Sequence, residues 1–337
     1  MPIKKVRLRA TSPKRLDDAL IDWLPQELGR AVSKAKARKL IMAGAVYLNG
    51  RPVRVASKPL SAGTTIEAVI DVEKLFADGT ARDRKFELIE ERILYEDTDL
   101  IVIDKPPGIP AHPTLDEDRD SLFTAVGRFL HKRDGVAKPY VGVHQRLDRD
   151  TSGIVLFTKT QRVNAAVAEI FSKRRGVKTY QALTVYPPAG SRRKLQKEWM
   201  VRNYLGKISS KGKTAKYGAV DSDGDLAETS FRVIAEYAQA LHIEATPKTG
   251  RTHQIRVHLS EHGLPILGDD LYCPAKDSAS TEMAPRLMLH ASRLTFPHPI
   301  TTQEISVESP LPADFVHCLR LLKQAPSPSG RGRPKGG

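Results

Sequence analysis

A short apolar run directly follows the most highly charged loop of the chain, and this junction constrains the fold more than any other feature. Ile154, Val155, Leu156 and Phe157 are consecutive apolar residues, and a run of this length is typical of a buried β-strand. The segment before it reads Arg-Leu-Asp-Arg-Asp-Thr-Ser-Gly and ends at Gly153. Rigid scaffolds present functional residues on such loops. The chain therefore needs a sheet-containing domain that carries this charged loop at the end of a buried strand.

Length and charge limit the class of protein. The chain has 337 residues, enough for two domains, and its two cysteines exclude a small disulfide-stapled fold. The formal net charge is +15, and residues 1–15 and 323–337 together supply ten of those charges. Such basic ends suit a polyanionic partner, and they are equally typical of a solubility tail. The apolar runs are too short to span a bilayer, so we expect a cytosolic protein with no membrane contact.

The first seventy residues contain a small basic module. Leu16, Leu20 and Leu24 recur at helical spacing, and Ser33 is placed to cap a second helix. Asn49 and Gly50 then lie between alternating apolar residues, which is a strong hairpin signal because both positions of the turn require positive φ. Cations cluster on the second helix and the hairpin, and we expect them to contact RNA phosphates: Lys34, Lys36, Arg38, Lys39 and Arg51. The segment resembles the alpha-L RNA-binding motif, although an amphipathic helix pair that only caps a larger domain has the same pattern.

Later apolar runs predict a sheet-rich second domain. We expect strands at residues 100–103, 154–157, 179–186, 229–235 and 241–245. Residues 192–213 are basic and poorly periodic, and we interpret them as an insert. The expected domain organisation is a basic arm (1–12), an alpha-L RNA-binding domain (13–70), a linker (71–88), a catalytic domain (89–322) and a disordered basic tail (323–337).

Asp148 is the strongest catalytic candidate in the charged loop. Its chain neighbours Arg146 and Arg149 would favour the ionised carboxylate, which can then act as a nucleophile or a base. An isolated aspartate before a strand more often bonds to nearby backbone amides, as Asp148 or Asp150 would do in a simple turn.

A second cluster of functional residue types lies near position 255. Ile255 and Val257 alternate with polar residues and predict a half-buried strand. His253, His258 and His262 suggest a zinc site, but no cysteine or carboxylate lies at a usual ligand spacing, and a strand would place His253 opposite His258. We therefore expect no metal.

These motifs together resemble the RluA-type family of RNA pseudouridine synthases, from Thr11 to about Cys318. The resemblance is carried by Lys105-Pro-Pro-Gly108 with His112-Pro113, the loop Arg146–Gly153, Lys178-Thr-Tyr180, Gly250–His258, Gly268-Asp269 and Leu287–Ala291. Each block alone is weak, whereas all of them in order are specific. One departure is Gln145, because the family usually has histidine directly before Arg-Leu-Asp and here His144 lies one residue earlier.

The resemblance implies an α/β (α+β) catalytic domain with a mixed, largely antiparallel sheet and a central cleft. It implies that Asp148 is the nucleophile, Arg256 its paired guanidinium and Tyr180 the aromatic residue at the flipped uracil. It further implies substrate contacts by Arg146, Arg149, Thr151, His253, Gln254 and Leu287. The reaction needs neither cofactor nor metal.

The expected function is therefore isomerisation of uridine in RNA by a monomeric enzyme, with large-subunit ribosomal RNA as the expected substrate. Transfer RNA is the alternative substrate. A non-catalytic RNA-binding protein of ribosome assembly and a metal-dependent hydrolase built on the three histidines remain the rival interpretations.

Overall fold

The computed structural model describes residues 3–76, 85–113, 120–185, 196–209, 215–273 and 284–324. The chain divides into two compact units, with the boundary between Lys85 and Phe86. No helix in these described ranges combines the length and the apolarity that crossing a membrane requires.

The described part of the N-terminal unit contains three helices and a four-stranded antiparallel sheet. Its helices are α1 (Leu16–Leu28), α2 (Lys34–Met42) and the short α3 (Val72–Phe76). Its strands are β1 (Ile3–Arg9), β2 (Lys14–Arg15), β3 (Val46–Leu48), β4 (Arg51–Val53), β5 (Pro59–Leu60) and β6 (Thr65–Asp71). The sheet order is β1-β6-β3-β4, while β2 pairs with β5.

Local sequence signals position these elements as expected. The Ser33 hydroxyl accepts a hydrogen bond from the Lys36 N–H at 3.2 Å and caps α2. Asn49 and Gly50 have φ values of 48° and 79° in the turn between β3 and β4, so the hairpin prediction is confirmed. Leu16, Leu20 and Leu24 are fully buried in the hydrophobic core of this unit.

The ends of this unit differ from the expected arm and linker. Residues 3–9, which we placed in a basic arm, form β1 and pair with β6, because Val6 packs into the core between exposed cations. Residues 72–76 form α3 in place of linker, and Leu75 is buried. Most of the remaining linker lies outside the described residues. The other domain boundaries stay predictions.

The second unit is built on an eleven-stranded sheet. Its strands are β7 (Ile93–Glu96), β8 (Leu100–Lys105), β9 (Gly142–Val143), β10 (Ser152–Thr158), β11 (Val177–Val185), β12 (Glu198–Ser209), β13 (Lys216–Ala219), β14 (Asp225–Glu236), β15 (Ala240–Pro247), β16 (Leu289–Pro297) and β17 (Glu304–Glu308). Its helices are α4 (Leu122–Asp134), α5 (Asn164–Ser172), α6 (Gln254–Glu261) and α7 (Ala313–Gln324).

The sheet order is β13-β12-β14-β15-β11-β16-β10-β8-β7, with β17 beside β16 and β9 beside β10. Among the strand pairs of the described residues, only β10 and β16 run parallel. The expected mixed, largely antiparallel sheet in an α/β domain is therefore confirmed. The five predicted strands correspond to β8, β10, β11, β14 and β15, apart from Tyr186, which lies outside the described residues.

Three predictions in this unit were wrong. Ile255 and Val257 belong to helix α6 and not to a strand, because Ile255 and Leu259 recur at helical spacing and both are buried. Residues 198–209 of the supposed insert form the long strand β12, in which Val201 and Leu205 point into the core. Lys323 and Gln324, assigned to a disordered tail, are the last residues of α7, and residues 325–337 lie outside the described residues.

Gly153 explains why the charged loop can lie so close to the sheet. It lies opposite Ala291 in the short parallel register between β10 and β16, with φ at 108°. A Cβ atom at this position would lie 2.2 Å from the Ala291 carbonyl oxygen. Only glycine fits this close approach.

Candidate active site

A cleft of about 520 Å³ lies within the second unit. Three segments supply much of its lining: the loop before β10, the first residues of β11 and the N-terminal end of α6. The lining includes seven of the nine side chains for which we predicted catalysis or substrate contact: Arg146, Asp148, Thr151, Tyr180, His253, Gln254 and Arg256. Arg149 and Leu287 are not part of it.

Asp148 projects from a loop that the buried Lys105 holds in place. The Lys105 ammonium donates to the carbonyl oxygens of Pro106, Ile109 and Arg149, each at 2.9 Å. Burial lowers the pKa of Lys105 to about 7, whereas the three carbonyl oxygens favour the charged ammonium. The Gly108 N–H also donates to the Arg149 carbonyl, at 2.8 Å. The backbone next to Asp148 is therefore fixed from inside the domain.

The charge partner of Asp148 is Arg256, with 3.0 Å between Nη1 and Oδ2. Arg146 and Arg149, which we expected to flank the carboxylate, do not do so. Arg149 is exposed and pairs with Asp150 at 2.8 Å, and Arg146 is exposed on the cleft wall. The physical reason is that the side chains of neighbouring residues in a tight turn point in different directions. The guanidinium of Arg256, 108 positions further along the chain, reaches Asp148 because the N-terminal end of α6 lines the cleft.

Arg256 is itself oriented by Asp269. Its Nε and Nη2 donate to the two carboxylate oxygens of Asp269 at 2.8 and 2.9 Å, and Asp269 is fully buried at its side chain. Burial disfavours the Arg256 charge, but the two carboxylates outweigh this and raise the pKa of Arg256 above its usual value. The N–H groups of Leu271 and Tyr272 donate to the same Asp269 oxygen.

Tyr180 lies on β11, where the pairing with β16 is irregular between Thr179 and Tyr180. The residue is 8% exposed and lines the cleft. Burial, and secondly the negative charge of Asp148, raise the pKa of Tyr180 well above its usual value. The phenol therefore keeps its proton at neutral pH and offers a ring face and a hydroxyl donor to the cleft.

Lys178 precedes Tyr180 by two residues on the same strand and also lines the cleft. Its ammonium lies 4.7 Å from the centroid of the Phe171 ring. Burial lowers the pKa of Lys178 to about 8. The sequence contained the motif around Tyr180, but nothing in it distinguished this lysine from a surface cation.

His253 lies directly before α6, with Nε2 3.9 Å from Asp148 Oδ2. Its Nδ1 lies 2.9 Å from the hydroxyl oxygen of Tyr272. Burial lowers the pKa of His253, so the imidazole is neutral at neutral pH.

Three other residues predicted to contact substrate, Thr151, Gln254 and Leu287, differ in their surroundings. The Gln254 amide is buried and fully bonded, because it donates to Glu228 and Thr229 and accepts from Thr249 and Arg251. The Thr151 hydroxyl is buried without a hydrogen-bond partner among the described residues. Leu287 belongs to the same hydrophobic core as Tyr180. Gln254 therefore acts by holding the start of α6 and not through a free polar group.

The departure at Gln145 also has a structural account. Gln145 is buried in the cleft wall, and its backbone carbonyl oxygen lies 3.0 Å from His112 Nε2. His144 Nε2 lies 2.8 Å from Asn164 Oδ1. Gln145 and His144 thus contact different residues, His112 and Asn164, beside the loop that carries Asp148.

The three histidines of the metal hypothesis have separate partners. His258 lies within 3.0 Å of Thr229 and Asn203, while His262 Nδ1 faces the His258 carbonyl oxygen. Within the described ranges, no group of three or more His, Cys, Asp or Glu side chains is arranged to hold a metal ion. The geometry gives the hydrolase interpretation no support.

The five cations predicted to contact RNA in the N-terminal unit fall into two groups. Three have partners within the unit: Lys34 pairs with Asp18 at 2.8 Å, Arg38 pairs with the buried Asp17 at 3.1 Å, and the Lys36 ammonium lies 4.8 Å from the Phe76 ring centroid. Lys39 and Arg51 are exposed. The second pair is therefore better placed for contacts with phosphates.

Comparison with known proteins agrees with this geometry. The family model for RNA pseudouridylate synthase matches residues 99–261, and that for the S4 domain matches residues 15–66. The chain is 30% identical over 321 residues to ribosomal large subunit pseudouridine synthase D of Haemophilus influenzae, over 92% of this chain and 91% of that protein. The protein of the same name from Nitrosomonas europaea is 31% identical, over 94% and 86% of the two chains. The solved structure of human RNA pseudouridylate synthase domain containing 4 aligns with a TM-score of 0.56 and 27% identity, over 69% of this chain and 93% of that one.

Proposed function

The chain belongs to the RluA-type RNA pseudouridine synthase family and carries an S4 domain, and from this membership we propose that it isomerises uridines of large-subunit ribosomal RNA with Asp148 as the essential carboxylate. The observation that carries the assignment of Asp148 is its hydrogen bond to Arg256, which joins a conformationally fixed loop to the start of α6 inside the cleft.

The reaction breaks the bond from ribose to uracil N1 and forms a bond from the same sugar carbon to uracil C5. It has no net redox change and adds no atom, so a carboxylate suffices to open the route. Asp148 can attack the sugar, add to the base or remove a proton from the sugar. Its side chain is 28% exposed, and Arg256 binds Oδ2, so Oδ1 is the oxygen available to the substrate.

Arg256 supports this chemistry by keeping Asp148 ionised and oriented after water leaves the cleft. A charge-assisted hydrogen bond of this kind is stronger and more directional than a neutral one. The second carboxylate, Asp269, holds the guanidinium at two points and so fixes the direction of the nitrogen that binds Asp148.

Tyr180 and Lys178 would serve the target nucleotide itself. A uridine must leave its stack to enter the cleft, which costs a few kcal/mol and least in unpaired RNA. The Tyr180 ring would pack against the flipped uracil, and its protonated hydroxyl is available for a proton in transit. Lys178, on the same strand, would attract a phosphate of the target nucleotide.

Ribosomal RNA is the preferred substrate because the curated relatives are named for it and because the S4 domain adds a second basic surface. Two modest contacts on one RNA add through effective concentration. We also propose that the enzyme acts in the cytosol and as a monomer, in keeping with its two free cysteines.

The test is to incubate the purified protein with large-subunit ribosomal RNA and with transfer RNA from cells that lack it, and to map pseudouridine by chemical labelling. We expect new pseudouridines at defined positions of the ribosomal RNA. Modification of transfer RNA alone would replace the substrate assignment, and binding without any modification would favour the assembly-protein alternative.

A further inference from the structure

The backbone of His253 adopts a left-handed conformation that few residues with a side chain adopt. Its φ and ψ are 57° and 18°, in the left-handed region, immediately before α6. A residue with a side chain is disfavoured there, and such strain persists where the surroundings enforce it. The imidazole packs against Tyr217 and Tyr272 in two T-shaped contacts, with ring centroids 5.7 and 5.6 Å apart.

The same two tyrosines favour one tautomer of the imidazole. The Tyr217 backbone N–H donates to the Tyr272 hydroxyl oxygen at 3.0 Å. Burial raises the pKa of Tyr272 to about 12, so the hydroxyl keeps its own proton, and its oxygen lies 2.9 Å from His253 Nδ1. A nitrogen that accepts a hydrogen bond carries no proton, and a neutral imidazole has one N–H. We assign the hydroxyl as the donor to Nδ1, which places the N–H of His253 at Nε2.

That N–H faces the carboxylate of Asp148. Nε2 lies 3.9 Å from Oδ2, the same oxygen that Arg256 Nη1 reaches at 3.0 Å. The gap exceeds a hydrogen bond, but catalytic hydrogen bonds are often long before substrate binds and shorten in the complex. Two donors would then hold one oxygen of the carboxylate.

We propose that His253 is a positioning residue for Asp148: its Nε2–H donates to Oδ2 once RNA is bound, and the relay from Tyr217 through Tyr272 keeps the proton on that nitrogen. The carboxylate then keeps one orientation, with Oδ1 directed at the substrate. This inference rests on the proposed role of Asp148. Because it assigns His253 to the carboxylate, it predicts an effect on turnover and not on RNA affinity.

Two substitutions at His253 separate this role from a backbone role. In His253→Gln the amide nitrogen occupies about the place of Nε2, whereas in His253→Asn it occupies about the place of Nδ1. Asparagine tolerates left-handed φ better than glutamine. A donor role therefore favours Gln, and a purely conformational role favours Asn.

The experiment measures kcat and RNA affinity for both variants and for wild type on one ribosomal RNA substrate. We expect His253→Asn to lose about 100-fold in kcat and His253→Gln about 10-fold, with both RNA affinities within about twofold of wild type. An Asn variant more active than the Gln variant, or two variants as active as wild type, would overturn the proposal.

Tyr272→Phe tests the relay without changing the backbone or the ring contacts. We expect a loss in kcat of about threefold to tenfold, because the imidazole can then adopt either tautomer. The same substitution in the His253→Asn background should add no further loss, and additive losses would contradict the relay. Wild type and Asp148→Asn, measured in parallel, separate a failure of this inference from a failure of the proposed function. An inactive wild type or an active Asp148→Asn variant would contradict the proposed function and would not test the role of His253.

Discussion

Arg256 and Asp269 form a two-point ion pair in which Nε and Nη2 of the guanidinium lie 2.8 and 2.9 Å from the two carboxylate oxygens. The third nitrogen, Nη1, remains for Asp148. A planar guanidinium held at two points has a fixed direction for its remaining donors. The position of the Asp148 carboxylate is thus set by a residue more than 100 positions away in the chain.

The first prediction concerns Asp269→Asn. The amide keeps the size of the carboxylate but places an N–H₂ group against the guanidinium, so Arg256 loses its fixed direction while its buried charge loses a partner. We expect kcat to fall by about 10-fold to 100-fold and the Tm to fall, since breaking a buried pair costs about 3–5 kcal/mol. Single-turnover kinetics and thermal unfolding measure both effects. The exposed neighbour provides the control: the charge of Asp270 acts on the exposed Arg149, and Asp270→Asn should leave kcat and Tm nearly unchanged because an exposed charge pair contributes little.

The second prediction separates RNA contacts from structural cations in the N-terminal unit. Lys39→Ala and Arg51→Ala should each weaken RNA binding and reduce the slope of log affinity against log salt by about one unit. Arg38→Ala should instead lower the stability of the unit, because it removes a partner of the buried Asp17. Binding titrations between low and high salt, with thermal unfolding in parallel, distinguish the two effects. An unchanged slope in both exposed variants would remove these residues from the RNA interface.

The third prediction is a pH dependence that arises from Asp17. The hydrogen bond from Arg15, opposed by burial and reinforced by Arg38, lowers the pKa of Asp17 to about 2. A carboxyl with a depressed pKa in the folded state stabilises that state above its ordinary pKa and loses this contribution as the pH falls through the folded value. The free energy of unfolding of wild type should therefore exceed that of Asp17→Asn near pH 5, and the difference should shrink between about pH 4 and pH 2. Denaturant titrations at each pH measure it, and a constant difference would contradict the assignment.

The sequence predicted the parts of the site that local pattern encodes. A charged loop before four consecutive apolar residues correctly placed Asp148 in the loop that precedes β10, and the alternation around Tyr180 correctly placed it on β11. Such features depend on a few neighbouring residues. They can be recognised without knowledge of the rest of the fold.

Features that depend on distant contacts were not visible in the local pattern. Chain neighbours suggested Arg146 and Arg149 as the partners of Asp148, and only the family resemblance pointed to Arg256, which the fold brings to the carboxylate. The strand predicted at residues 255–257 failed because its apolar residues alternate as in a strand, whereas the buried side of the helix also includes the polar Gln254 and His258, whose burial depends on distant partners. Asp269 was visible in a family-like motif, but its role requires the position of Arg256.

The identity of the essential carboxylate is the central claim, and two acids of one loop provide a matched test. Asp148 lies in the cleft and bonds to Arg256, whereas Asp150 pairs with the exposed Arg149 and lies outside the cleft lining. The direct measurement is single-turnover formation of pseudouridine by Asp148→Asn and Asp150→Asn on one RNA, with RNA affinity determined in parallel. We predict that Asp148→Asn loses more than about 1,000-fold in rate with nearly unchanged affinity, because an amide cannot act as nucleophile or base, and that Asp150→Asn stays within about threefold of wild type, because an exposed ion pair contributes little. Substantial turnover by Asp148→Asn, or an inactive Asp150→Asn variant beside it, would contradict the account.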